Sequence, residues 1–115
     1  MKLRDFLGVG EKKTVEFLKA MKVSDLAEGT ISTVDLNGSH ILLSKIGGEV
    51  FAVSGTCTHE ETDLGIGFVL EDRVICPLHL SQFDLRTGEV MNPPATLPLK
   101  RFNVKIKDEA IFVEI

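Results

Sequence analysis

The chain contains neither Trp nor Tyr, and only two Cys and three His among its 115 residues. No stretch approaches the roughly 18 consecutive apolar residues of a membrane-spanning helix, which excludes a helical membrane anchor. The opening residues 1–7 are too broken by charge to form the apolar core of a secretory signal, so the protein reads as cytosolic. There is no internal repeat and no low-complexity tract. The length is that of one domain with a real core, and 43% hydrophobic with 26% charged residues is ordinary for a globular protein.

The scarce residues are concentrated in two places. Cys57-Thr58-His59 and Cys76-Pro77-Leu78-His79 read as C-x-H, sixteen residues, then C-x-x-H, and they use both cysteines and two of the three histidines. Each half sets one thiolate beside one imidazole in a turn-like segment after an apolar run. That pairing suits a metal centre with a soft side and a borderline side. Three readings compete. A structural zinc usually takes like residues in pairs, C-x₂₋₄-C and H-x₃₋₅-H, and a mixed half is unusual for it. Two buried cysteines beside unrelated histidines would be the plainest reading, since such a cysteine packs as a small hydrophobe; the repetition of the mixed pair weighs against it. The third is a [2Fe–2S] cluster with two thiolates on one iron and two imidazoles on the other.

Along the chain, residues 11–21 carry Val15 and Leu18 three apart and Phe17 and Met21 four apart. That spacing predicts a short amphipathic helix, with a solvated tail as the alternative. Residues 1–20 read as an N-terminal extension and residues 21–115 as the domain. Strands are expected over residues 30–36, 39–46 and 49–53, joined by Asn37-Gly38 and Gly47-Gly48 into an antiparallel meander that leads to the first Cys/His motif. Residues 73–75 run into the second motif and residues 82–85 leave it towards a turn at 86–88. Residues 101–107 and 110–115 alternate, with Val104 and Ile106 and then Ile111, Val113 and Ile115 facing one way, joined by a weak turn signal at Asp108-Glu109. Many short strands argue an all-β antiparallel sandwich or flattened barrel.

Residues 57–64 and 76–88 resemble the two cluster loops of Rieske-type [2Fe–2S] ferredoxins, and Asn92-Pro93-Pro94-Ala95 is similar to the proline-containing loop that packs beside the cluster in that family. The resemblance spans residues 21–115. It implies a Rieske-type β-sandwich with a small cluster-binding subdomain, a [2Fe–2S] cofactor, and Cys57, His59, Cys76 and His79 as its ligands. Ser81 matches a hydroxyl donor to a cluster sulfur, and Phe83 stands where high-potential relatives place a tyrosine that donates to a ligand thiolate. Two departures accompany it. Leu80 occupies a position where many members carry Gly, so either the backbone there is outside the glycine-only region or the loop is rearranged. The disulfide that staples the loops in respiratory-chain relatives has no counterpart, since Leu78 and the neighbourhood of Thr62 supply no cysteine.

The implied chemistry has an electrostatic logic. Two ferric ions, two sulfides and two thiolates sum to zero charge, so adding an electron costs less than with four thiolates, and the potential rises into a range of about −150 to +300 mV. With one donor kept at Ser81 and one lost at Phe83, the expectation falls short of the top of that range. A Rieske oxygenase needs two further histidines and a carboxylate for a mononuclear iron. Only His40 remains, in a strand, where a hydrogen-bonded structural role is the more frequent one. The resemblance therefore implies an electron carrier, not an enzyme, working as a monomer between a reductase and an oxygenase or other oxidase, with no nucleic acid and no membrane as partner. The alternatives are a zinc-stabilised interaction domain and a small Rieske subunit of a reductase such as a nitrite reductase. Glu60, Glu61 and Asp63, beside His59 in a chain of net charge −4, would steer basic partners.

Overall fold

The computed structural model describes residues 16–59, 61–78 and 80–115. Its first element corrects an expectation. Strand β1 (Phe17–Lys22) occupies residues 17–21 of the stretch read as a helix; residues 11–15 lie outside the described residues. The reason is strand pairing with a β-bulge. β1 pairs antiparallel with β11 (Ala110–Glu114), and the register slips between Lys19 and Met21, leaving Ala20 as the extra residue. Leu18 stands opposite Val113 and Met21 opposite Ile111, so two positions three apart share one face of a strand. Of the pairs that suggested a helix, Phe17 and Met21 stand opposite Glu114 and Ile111, on different faces of this strand, and Val15 lies outside the described residues. β1 also runs across residue 20.

The predicted meander is present as β2 (Ile31–Leu36), β3 (Ser39–Ile46) and β4 (Glu49–Ser54). Asn37 and Gly38 have φ 51° and 82°, and Gly47 and Gly48 have φ 61° and 84°. Two successive left-handed residues are what a two-residue hairpin with the natural strand twist requires. β9 (Arg101–Phe102) extends this sheet beyond β4. β10 (Val104–Lys107) joins β11 and β1 in a second sheet, through a turn whose Asp108 and Glu109 also have positive φ. Ile111 and Val113 are buried as expected, whereas Ile106 is half exposed, because β10 is the edge of its sheet.

A third sheet holds the short strands β5 (Phe68–Leu70), β6 (Arg73–Ile75), β7 (Gln82–Asp84) and β8 (Val90–Asn92), in that order and all antiparallel. The meander lies between the other two. Ile41, Leu43 and Ala52 pack with Phe102, Ile111 and Val113 on one face. Leu42 and Val53 pack with Val74, Phe83, Leu85, Leu99, Cys57 and Cys76 on the other. Ile41 to Ser44 are all fully buried, and a strand covered on both faces reads as an unbroken apolar run, as this one does. No helix of the described residues is long and apolar enough to cross a membrane.

The segment after β8 is anchored at Gly88, which has φ 83°, donates to the Asp84 carbonyl (2.7 Å) and accepts from the Leu99 amide (2.8 Å). A Cβ there would overlap the Leu99 carbonyl oxygen. Gly88→Ala should cost about 2–4 kcal/mol, from left-handed strain plus that backbone clash, and urea denaturation should show it as a lower midpoint with an unchanged slope.

Candidate metal centre

The two Cys/His segments fold as copies of one loop. In the first, the Cys57 amide donates to the Thr62 carbonyl (2.7 Å) and the Glu61 amide donates to the Cys57 carbonyl (2.8 Å). In the second, the Cys76 amide donates to the Ser81 carbonyl (2.9 Å) and the Leu80 amide to the Cys76 carbonyl (3.0 Å). Glu61 and Leu80, each four residues after its cysteine, have φ 56° and 63°. The left-handed residue reverses the chain so that the following carbonyl returns to the cysteine amide. Leu80 is thus in the region that favours glycine but remains open to L residues, at a cost of about 1–2 kcal/mol.

Burial divides the site into two sides. Cys57 and Cys76 are each 1% exposed and share one apolar cluster with Leu64, Phe83, Leu85, Ala95 and Leu99. His59, two residues from Cys57, is exposed. His79 lies outside the described residues, as does Glu60. Among the described residues, no three Cys, His, Asp or Glu side chains converge on one point as a single ion requires.

Ser81 is buried, and its Oγ accepts from the Ala95 amide at 3.1 Å. A hydroxyl has a proton to give as well as lone pairs to accept with. Among the described residues no acceptor takes that proton, which is rare for a buried polar group. Phe83, fully buried in the same cluster, has no such proton. The segment carrying the cis Pro93-Pro94 bond holds both loops at once. Thr58 Oγ1 of the first loop donates to the Leu97 carbonyl (2.7 Å), and Ser81 of the second accepts from Ala95. Three consecutive residues, 95–97, thus tie the two loops together without a covalent link.

The acidic group expected beside His59 is only partly available to solvent partners. Glu61 is exposed. Asp63 is half exposed and also tied to the protein: its Oδ1 accepts from His40 Nε2 and from the Gly65 amide, both at 2.8 Å. The His40 hydrogen bond, followed by that of Gly65, holds the Asp63 carboxyl below its ordinary range. His40 is therefore a functional-site neighbour that the sequence reading assigned only to structure; no spacing signal joins residues 40 and 63.

A pair of buried thiols, an exposed imidazole and a buried hydroxyl with a proton to donate fit an asymmetric sulfur-rich cofactor better than two unrelated core cysteines. Comparison with known proteins agrees. The profile of the Rieske [2Fe-2S] domain matches residues 16–103. The chain is 30% identical over 102 residues to the ferredoxin component of the naphthalene 1,2-dioxygenase system of Pseudomonas putida, covering 89% of this chain and 98% of that one. It is 35% identical over 97 residues to the ferredoxin component of biphenyl 2,3-dioxygenase of Rhodococcus jostii, covering 84% and 91%. A solved complex of reduced oxygenase and oxidised ferredoxin in carbazole 1,9a-dioxygenase contains a chain that matches with TM-score 0.80 and 33% identity, over 84% of this chain and 91% of that one. The zinc reading gives way here: the chain belongs to the Rieske [2Fe-2S] family, and its cofactor is a [2Fe–2S] cluster.

Proposed function

We propose that this protein is the ferredoxin of a multicomponent oxygenase, taking one electron from a reductase and passing it to a terminal oxygenase in the cytoplasm. The observation that carries the reading is the polarity of the site, with both thiols sealed in the core and His59 at the surface. The cluster, when bound, supplies a one-electron couple. Cys57 and Cys76 would hold its buried side and His59 its exposed side, with His79 as the fourth ligand by the match of the second motif, and Ser81 would give its proton to cluster sulfur. Burial of the thiols keeps water from the sulfur, while the exposed imidazole edge is the short route to a partner.

The surface around that edge fits transient docking. Leu97, tied to the first loop through Thr58, is 62% exposed, and Leu78 and Leu80 of the second loop are also exposed. Leucines held out by tightly hydrogen-bonded loops are apolar anchors at little entropic cost. The carbazole system, in which a ferredoxin of this fold is seen with its oxygenase, supports an oxygenase as the acceptor. A carrier that meets two partners in turn works best as a monomer.

The ligand assignment is tested by colour. Cys76→Ser should give protein without the visible charge-transfer bands of the cluster, with faster amide exchange over residues 57–64 and 76–83; a brown variant with the parent spectrum would sink it. The donor assignment is tested by potential. Ser81→Ala should lower the midpoint by about 60–130 mV, the equivalent of one charge-assisted hydrogen bond of about 1.5–3 kcal/mol, while Phe83→Tyr should raise it. Docking is tested by kinetics with an oxygenase of the aromatic-ring-hydroxylating type. Leu97→Asn should weaken its apparent affinity about tenfold, close to 1.4 kcal/mol, without moving the potential.

A further inference from the structure

We propose that His40, as an imidazolium, clamps the first cluster loop to the central sheet through Asp63, and is thereby a positioning residue for the cluster whose proton the potential follows. The inference rests on the ligand reading above for the place of that loop, and on the following geometry for the clamp. His40 lies near the start of β3, opposite Asp35 of β2. Its Nδ1 is 2.7 Å from Asp35 Oδ1 and its Nε2 is 2.8 Å from Asp63 Oδ1. A neutral imidazole donates from one nitrogen only; two carboxylates facing two ring nitrogens call for both protons.

The ring's seat is built for it. A Cβ on Gly55 would stand 2.7 Å from His40 Cδ2, so the glycine makes room for the imidazole. The Gly55 amide donates to the His40 carbonyl (2.9 Å), and the Leu64 amide donates to the Gly55 carbonyl (2.7 Å). Thr56 and Asp63 form a β-bridge that closes the neck of the loop. Asp63 also caps the 3₁₀ turn Leu64–Ile66 through the Gly65 amide. Every strand of this seat leads to the two stems of the loop that carries Cys57 and His59. Among the described residues, the charged groups facing the ring are Asp35 from β2 and Asp63 from the loop; the residue that follows β4 is the uncharged Gly55.

The titration sense follows from these partners. The hydrogen bond to Asp63, then that to Asp35, raises the His40 pKa above its ordinary 6.5, against a smaller opposing effect of burial. The stabilisation His40 contributes is therefore complete below pH 6.5 and is lost as pH rises through the raised value. Asp63, held below its ordinary 3.8, contributes above that pH and loses its share only as pH falls through the lowered value. The clamp is closed between the two. A cation at the foot of the loop also favours the added electron, so losing the proton lowers the potential.

Film voltammetry of cluster-loaded protein over about pH 5–10, with amide exchange, tests this. Wild type should show a fall in potential with an inflection above pH 6.5 that His40→Gln lacks and that Asp63→Asn moves to lower pH. At pH 6 the Leu64 and Gly65 amides should exchange about tenfold faster in both variants. Asp35→Asn, which leaves the Asp63 contact in place, should keep the loop protected and move the inflection to lower pH. Variants that retain the wild-type inflection and the wild-type exchange overturn the proposal, as does an unmoved inflection in Asp35→Asn should the other two not fold. A wild type without the cluster's visible spectrum would instead sink the ligand reading, and the exchange measurements alone would then decide the clamp.

Discussion

Two loops that share no covalent link must hold two thiols inside an apolar core while leaving an imidazole at the surface. The rest of the molecule answers to that constraint. Burying a thiolate is costly unless its charge is taken up by a metal, and the imidazole must stay within reach of a partner. The solution is a rigid backbone frame used twice. In each loop one left-handed residue and two backbone hydrogen bonds fix the cysteine in the core and the following residues outside it. Accepting left-handed Glu61 and Leu80, neither of them glycine, is the strain this frame tolerates.

The frame in turn needs a floor. β3 supplies it by being buried on both faces, with Ile41 and Leu43 turned to the β1–β11–β10 sheet and Leu42 turned to the cysteines. A change of volume on either face of that strand is felt in both cores, because packed interiors transmit strain. The loops meet again at their outer side, where residues 95–97 receive Thr58 from one and present an amide to Ser81 of the other. Hydrogen bonds of about 1 kcal/mol each replace a cross-link here, so the apo loops are held less firmly than a disulfide would hold them.

Charge near the centre follows the same economy. Asp63, which follows Glu60 and Glu61 in the chain, is half exposed and at the same time tied to His40 by a hydrogen bond.

The cluster type was legible in the sequence because C-x-H and C-x-x-H each pair a thiolate with an imidazole, and the meander was legible because Asn37-Gly38 and Gly47-Gly48 are local turn signals. What the amino-acid order determined by itself was whatever depends on neighbours a few residues apart: donor sets, hairpins and alternation. The tertiary structure alone decided what depends on pairing at a distance. Pairing with β11, with a bulge at Ala20, made a strand of residues whose spacing had suggested a helix. The Asp35–His40–Asp63 link and the 95–97 staple join residues separated by 5 to 39 positions, and no periodicity encodes them. Such contacts form only when sheets stack and bring remote loops together, since side-chain pairing across a fold is fixed by packing rather than by local propensity.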